Sequence, residues 1–362
     1  MKNTLLSFME KTGRDYEFKL FLDLIQRTPR GEFAVIQVGR EVFDKRLDVI
    51  SEELAYLCKL DIYPIVILQH SSFDSKDMLK ERVISNGGRA AFASETDFSK
   101  IDDLLDNGII PIVCGRAGED LEIDAVSNEI VKVKKPRKLI ILSDAGGLFD
   151  SDNNLIKFLN VSSGDKLENF SEKTNAFLKN VEEFLLGARN CSLVVASPKN
   201  FLKEIFTIEG SGTFVKHYMT NSQTNLDSVD KDRLVLLLND AFGKKLVSDY
   251  FSEPVLGFFW EEQYDGAAIV KEVDGVAYLD KFAVIKAAQG TGLGKSIWAR
   301  VVSKYPKIIW RATLDNPTNR FYVKNCDGMI KGKEWVFYWK GLDLSEVPKL
   351  YRLVVGKRPT MV

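Results

Sequence analysis

The sequence predicts two domains in tandem: a three-layer α/β domain on a mainly parallel sheet, followed by a smaller mixed α+β domain. Three observations carry this expectation. The chain has 362 residues, 45% of them apolar and 28% charged, which is enough to bury two ordinary cores. From Phe33 to Leu202, short β-branched runs alternate with amphipathic stretches, the pattern of parallel strands joined by crossover helices. Beyond residue 225 or so the texture changes to closely spaced strand patterns with a helix after them.

In the first domain, Ala34 to Val38, Ile65 to Leu68, Ile109 to Val113, Leu139 to Leu142 and Leu193 to Val195 read as buried strands. Leu47 to Leu60, Lys76 to Ser85, Asp97 to Leu105 and Ala176 to Leu186 each collect apolar residues on one helical face. Around Tyr218 to Asp232 the chain turns polar (Thr-Asn-Ser-Gln-Thr-Asn-Leu-Asp-Ser), with no apolar pattern to anchor it. The expected division is therefore residues 1–220, a linker over 221–232, and 233–362. In the second domain a helix with a basic end is expected over Leu234 to Leu246. Strands follow at Val255 to Trp260, Ala267 to Lys271 and Gly275 to Val284.

Lys plus Arg (50) balance Asp plus Glu (51), so no global field draws the chain to nucleic acid or to an anionic membrane, and small-molecule chemistry is expected. Cys58, Cys114, Cys191 and Cys326 are scattered without a C-x-x-C pair, which predicts neither a metal site nor a disulfide framework. Neither a long apolar leader nor an apolar run of spanning length is present, and the first residues are poor in arginine. A cytoplasmic protein is expected, or a mitochondrial-matrix one in a eukaryote. His70 and His217 are the two histidines, and no Ser-His-Asp or Cys-His arrangement is visible around them.

The strongest chemical signal follows the strand ending at Val284. Gln289-Gly290-Thr291-Gly292-Leu293-Gly294-Lys295-Ser296 leads into the helical run Ile297 to Val302. Strand, glycine turn and helix together make an anion site, because glycines admit a ligand close to the backbone and free N–H groups at a helix start favour a pyrophosphate. A nucleotide P-loop shares the ending Gly294-Lys295-Ser296, but its first glycine would have to stand at Gln289.

This stretch resembles the Q/R-x-x-G-x-G/A signature of the GNAT acetyltransferases. With Tyr278-Leu279-Asp280-Lys281-Phe282 before it, and Trp310-Arg311, Asp315-Asn316-Pro317-Thr318-Asn319 and Phe321-Tyr322 after it, the last third resembles the acetyltransferase domain of two-domain N-acetylglutamate synthases and synthase-kinases. Phe242-Gly243-Lys244-Lys245-Leu246, Cys326-Asp327-Gly328 and Trp339-Lys340-Gly341-Leu342 extend the likeness. The resemblance implies acetyl-CoA bound by Gln289, Gly290, Thr291, Gly292, Leu293, Gly294 and Lys295, and L-glutamate carboxylates bound by Lys244, Lys281 and Arg311. It also implies catalysis by Asn316 and by Tyr322, the latter as general acid toward the leaving thiolate. Arginine presents a bidentate fork and tyrosine a proton, so these side chains suit such roles. One departure stands out: the family has a second arginine two positions after the first, where this chain has Thr313. An acetyltransferase for a different amino acid is the alternative that Thr313 raises. A non-catalytic arginine-binding regulator is the alternative from another class.

The front domain resembles the amino-acid kinases in Val35 to Arg40 and in Leu142-Ser143-Asp144-Ala145-Gly146-Gly147-Leu148-Phe149-Asp150. Phosphoryl transfer needs cations and phosphate-wrapping glycines, yet Gln37 replaces the first lysine and Gly39-Arg40 the glycine pair. Gln69-His70-Ser71-Ser72 replaces the second glycine turn and Asp124-Ala125-Val126 an Asn-Ala-Asp, so loss of kinase activity is expected. Glu204 to Thr213 resembles the pocket for inhibitory L-arginine in arginine-sensitive acetylglutamate kinases, with Glu204 and Gly210 at its ligand positions. The resemblance further implies that a helix over Asn3 to Gln26 pairs subunits into a dimer or tetramer, and places the chain in arginine biosynthesis.

Overall fold

The structure, a computed structural model, describes residues 28–69, 73–116, 121–162, 170–206, 210–227, 229–289 and 292–362. It divides into two compact units between His217 and Tyr218. The expected pairing helix at Asn3 to Gln26, His70 with its loop, and Gly290 and Thr291 lie outside the described residues. None of the described helices is long and apolar enough to cross a membrane.

The first unit holds strands β1 (Ala34–Gly39), β2 (Ile65–Gln69), β3 (Ala90–Ala93), β4 (Ile110–Cys114), β5 (Lys138–Leu142), β6 (Phe158–Asn160), β7 (Ser192–Ala196) and β8 (Thr213–Lys216). They form one sheet in the order β3-β4-β2-β1-β5-β7-β8-β6, and only the β7–β8 pair is antiparallel. All residues of β1, β2 and β7 are buried, as expected of central strands covered on both faces. Helices α1 (Arg40–Lys59), α2 (Phe73–Ser85), α3 (Phe98–Asp106), α4 (Ala125–Lys134), α5 (Glu172–Gly187) and α6 (Phe201–Phe206) lie between them along the chain. Helix α1 starts seven residues before the Leu47 that periodicity predicts. Its first turns, which bury Val42 and Phe43, precede a φ/ψ break at Arg46. Asp97, Asp124 and Ser171 cap α3, α4 and α5 by accepting from Lys100 N, Val126 N and Thr174 N.

The second unit has a seven-stranded sheet of β9 (Thr220–Gln223), β10 (Gly257–Glu261), β11 (Gly266–Val273), β12 (Val276–Val284), β13 (Ile308–Thr313), β14 (Gly328–Lys331) and β15 (Trp335–Lys340), in the order β14-β15-β13-β12-β11-β10-β9. Its helices are α7 (Lys231–Phe242), α8 (Leu293–Lys304), α9 (Asn319–Asn325) and α10 (Val347–Val355). Two expectations need correction. The polar run taken for a linker begins as β9, whose Thr220–Gln223 backbone pairs with Phe258–Glu261 of β10; Leu226 and Val229 are buried beside it against α7. An edge strand draws on backbone pairing, so its side chains need not alternate. The helix expected to run to Leu246 ends at Phe242, because Gly243 takes φ 61° and turns the chain out of the helix. Lys245 and Val247 then pair with the end of the chain: Lys245 N donates to Val362 O, Val362 N to Lys245 O, and Val247 N to Thr360 O.

All neighbours in this sheet are antiparallel except β12 and β13. That parallel pair stays in register only from Ala277↔Ile308 to Leu279↔Trp310 and then parts. The parting coincides with a β-bulge, since Leu279 faces Val270 and Lys281 faces Ile269, leaving Asp280 without a partner on β11. From Lys281 to Val284, β12 is paired on its β11 side alone.

Candidate functional site

The bulge and the parting of the strands lie between the start of α8 and α9 on one sheet face and Lys281 on the other. On one sheet face, α8 packs through Leu293, Ile297, Trp298 and Val301 against Leu279, Trp310 and their neighbours. The helix begins beside the free half of β12: a Cβ on Gly294 would lie 3.6 Å from both Phe282 and Val284. Gly292, with φ 88°, occupies the left-handed conformation that turns the chain into α8 and gives its first N–H groups no side-chain cap. Gln289 is exposed and donates from Nε2 to Val284 O at 3.3 Å, tying the loop back to its strand. Leu293 is buried in the core, and Lys295 is half-buried in the first turn.

Where β12 and β13 part, the space is lined by aromatic rings. Phe282 stacks on Phe321 (centroids 5.9 Å apart) and approaches Tyr322 at 6.3 Å, while Trp310 stacks on Tyr338 at 5.5 Å and meets Tyr322 edge-on at 5.7 Å. Tyr322 is buried, its hydroxyl has no hydrogen-bond partner among the described residues, and burial holds its pKa well above the ordinary tyrosine value. Trp310 Nε1 is likewise buried with no acceptor among the described residues. A buried, unused indole N–H beside an unpaired strand edge is a costly arrangement for a purely structural core.

Asn316 precedes α9 and Tyr322 lies on it, and Asn319, at the first position of the helix, ties it to the sheet. Asn319 Nδ2 donates to Thr313 O (2.9 Å) and Leu314 O (3.1 Å), and its Oδ1 accepts from Tyr338 Oη at 3.0 Å. Asn316 Oδ1 accepts from Thr318 N at 2.8 Å, forming an Asx turn across Pro317 that opens the helix.

The predicted carboxylate-binding cations sit on the opposite sheet face, in differing states. Lys281 is 5% exposed; its Nζ donates to Asp280 Oδ2 (3.0 Å) and to Thr360 Oγ1 (2.6 Å). Burial lowers the Lys281 pKa against the pull of Asp280. Burial pushes Asp280 upward, but Lys281, the Tyr250 hydroxyl at 2.6 Å and Lys271 outweigh it and hold the carboxylate below its usual range. Arg311 is engaged elsewhere than expected. Its Nη1 donates to Val354 O (2.8 Å) and Val355 O (3.0 Å), its Nη2 to Arg358 O (3.3 Å), and its guanidinium lies 4.0 Å from the Trp335 ring centroid. The arginine thus secures the carbonyl end of α10 and the strap that follows it. Lys244 is exposed just past α7, close enough to Asp315 to help lower that carboxyl's pKa, after the hydrogen bond from Thr313.

In the first unit, the C-terminal ends of β1 and β2 meet the start of α4, the edge at which parallel sheets take ligands. Here that edge is filled by its own residues. The buried Gln37 accepts at Oε1 from Asp124 N (3.0 Å) and Ser127 Oγ (2.8 Å) and donates from Nε2 to Glu122 O (2.6 Å). The Asp124 carboxylate accepts from Arg116 N and Val126 N, and burial raises its pKa. Asp144 pairs with Arg46 at 2.8 Å. At the other expected ligand position, Glu204 and Gly210 are adjacent: Glu204 Oε1 accepts from Ser211 N, Ser211 Oγ and Gly212 N, and a Cβ on Gly210 would overlap Glu204 Oε2.

Two family models match the chain: the amino acid kinase family over residues 48–183, and the N-acetyltransferase domain of N-acetylglutamate synthase over residues 221–356. An acetylglutamate kinase of Xanthomonas campestris pv. campestris is 28% identical, over 96% of this chain and 99% of its own length. The human mitochondrial N-acetylglutamate synthase is 29% identical over 89% of this chain and 71% of its own. Among solved structures, the N-acetylglutamate synthase of Neisseria gonorrhoeae shares the fold over 90% of this chain and 97% of its own. Its complex with coenzyme A and N-acetyl-glutamate matches at TM-score 0.55 and 15% identity, and its complex with coenzyme A and L-arginine at 0.50 and 13%. The chain therefore carries an amino acid kinase domain in front and the N-acetyltransferase domain of N-acetylglutamate synthase behind, an order in which it aligns along most of its length with these relatives.

Proposed function

We propose that the protein transfers the acetyl group of acetyl-CoA to the α-amine of L-glutamate. The observation that carries the reading is the parting of β12 and β13 at Asp280, beside the start of α8 and above Tyr322. An open strand edge suits an extended arm bearing amides, which can pair with it as an added strand. The start of α8, whose N-cap Gly292 has no side chain to bond its first turn, suits a pyrophosphate. The unpartnered Trp310 Nε1 and the buried Tyr322 beside it suit the oxygen and sulfur of a thioester.

In this mechanism the cationic face holds the acceptor's carboxylates, which fixes the amine for attack within a ternary complex. Tyr322, protonated through the physiological range because burial disfavours its anion, gives its proton to the departing thiolate. Asn319 keeps that hydroxyl in place by tying α9 to β13 and β15. Asn316, at the mouth of the same helix, is a polar group for the amine. Nothing in the site asks for a metal.

We assign the front unit to regulation. The Gln37–Asp124–Ser127 network takes the place of the cations that phosphoryl transfer requires, which argues against kinase activity despite the kinase relatives. Glu204 beside Gly210 supports a site for free L-arginine, whose guanidinium a carboxylate would take. Subunit pairing into a dimer or tetramer is part of this reading.

Thiol release from acetyl-CoA, measured across the standard amino acids with and without free arginine, tests the assignment. Glutamate is expected to be the preferred acceptor and arginine to change its rate; preference for a non-acidic amino acid would refute it. ATP-dependent phosphorylation of N-acetylglutamate by the purified protein would refute the assignment of the front unit.

A further inference from the structure

The fate of Arg311 and the presence of Thr313 leave the cationic face short of what a dicarboxylate needs. Three N–H donations of Arg311 go to chain carbonyls, at Val354, Val355 and Arg358. Another lysine, which no motif singles out, stands on the same face. Lys271 alternates with Ile269 and Val273 along β11 and is paired in register with Tyr278 of β12. Its side chain is 5% exposed, and its Nζ lies 2.6 Å from Glu253 Oε2 and 4.0 Å from Asp280 Oδ2, the same oxygen that Lys281 Nζ reaches at 3.0 Å. The ring of Tyr250 lies under both ammonium groups, with centroid distances of 4.3 and 4.8 Å.

A buried lysine pair around one aspartate is hard to justify by stability alone. Replacing such groups by apolar residues of similar size is often neutral or stabilising, and the neighbouring positions of β11 are apolar. Lys271 and Lys281 share the one buried carboxylate, Asp280, and the other carboxylate on Lys271, Glu253, is half-exposed and so placed that a ligand can take its position. The bulge accompanies this geometry: Asp280, left without a partner on β11, meets both its successor Lys281 and Lys271 of β11 through the same carboxylate oxygen.

We propose that Lys271 is a further specificity-determining residue, and that Lys271 and Lys281, gathered on Asp280, form the subsite for the acceptor's side-chain carboxylate. This rests on the acetyltransferase reading above. Glu253, whose side chain is 51% exposed, presents to Lys271 the group that the acceptor's carboxylate replaces on binding. The pair thereby supplies the cation that Thr313 does not.

The test compares glutamate with glutamine as acceptor in the full-length protein, by thiol release, for the parent, Lys271→Met and Glu253→Gln. For Lys271→Met, the preference for glutamate over glutamine in kcat/KM is expected to fall at least about tenfold, since a site that pairs a charge discriminates against the analogue lacking it. The KM for acetyl-CoA should stay at the parent value. For Glu253→Gln, which removes the competing carboxylate from a surface position, the glutamate KM is expected to fall with the acetyl-CoA KM unchanged. An unaltered glutamate-to-glutamine ratio in Lys271→Met, or, if that variant does not fold, an unaltered glutamate KM in Glu253→Gln, would overturn the proposal while leaving the acetyltransferase reading intact. A parent protein that acetylates neither acceptor would remove both.

Discussion

Lys281 and Thr360, seventy-nine residues apart, are joined by a 2.6 Å hydrogen bond from Nζ to Oγ1. The bond closes a strap: Arg311 holds carbonyls at Val354, Val355 and Arg358, and Val247 N donates to Thr360 O. The chain's own acceptors therefore occupy two of the cations proposed for the acceptor amino acid. Thr360→Val removes one competitor for the Lys281 ammonium, and a hydrogen bond from a charged group is worth about 1.5 kcal/mol or more. The glutamate KM should fall about tenfold in steady-state assays. A rise instead would mean that Thr360 itself touches the acceptor.

Tyr322→Phe should lower kcat by about 10² to 10⁴, the usual contribution of a positioned acid, with acetyl-CoA binding nearly unchanged by calorimetry. Its hydroxyl has no partner among the described residues, so the thermal midpoint should hold or rise slightly. A variant as fast as the parent would take Tyr322 out of the mechanism.

Asn319→Ala breaks three hydrogen bonds, to Thr313 O, to Leu314 O and from Tyr338 Oη, and leaves the latter's partners to find others. A loss of about 2 to 3 kcal/mol in denaturant unfolding of the second unit is expected. The kcat should drop without a matching rise in the KM for acetyl-CoA, because α9 carries Tyr322 while the residues proposed for the cofactor lie at the start of α8. Unchanged stability would show that α9 is held by packing alone.

A pH effect is expected in the first unit. Lys138 is half-buried with its ammonium on Glu204 O, and desolvation brings its pKa down to about 8 despite the nearby Glu204 carboxylate. Between pH 8 and about 10.4 the unfolded chain binds the proton that the folded chain has shed, so stability rises with pH across that window. Below it, lysine is charged in both states and the burial penalty stands in full. Relative to Lys138→Met, the wild-type protein should gain about 3 kcal/mol in unfolding free energy as pH rises through this range, at about 1.4 kcal/mol per unit. A flat difference between the two would contradict it.

The strands and helices legible in the sequence were those whose apolar side chains do the packing. β1, β2, β4, β5 and β7 are close to the predicted runs, because buried β-branched side chains announce a central parallel strand. Thr220–Gln223 was illegible as a strand since it draws on the backbone of β10. The strap was illegible for a related reason: the Leu246–Met361 bridge and the Thr360 bond depend on contacts more than seventy residues apart. In the site, glycine and tryptophan motifs marked α8, β13 and α9, but a motif names residues without saying what they touch. Arg311 looked like a carboxylate fork and holds a helix end; Lys271 looked like one more strand residue and lies beside Asp280.

The account turns on the free half of β12 receiving the arm of coenzyme A. Hydrogen–deuterium exchange of the backbone amides from Lys281 to Val284, followed with and without coenzyme A, reads this directly. Protection of these amides together with those of Gly292 to Lys295, at a concentration that also inhibits acetyl transfer, is the predicted result. Binding of coenzyme A that leaves both stretches exchanging at their original rates would contradict it.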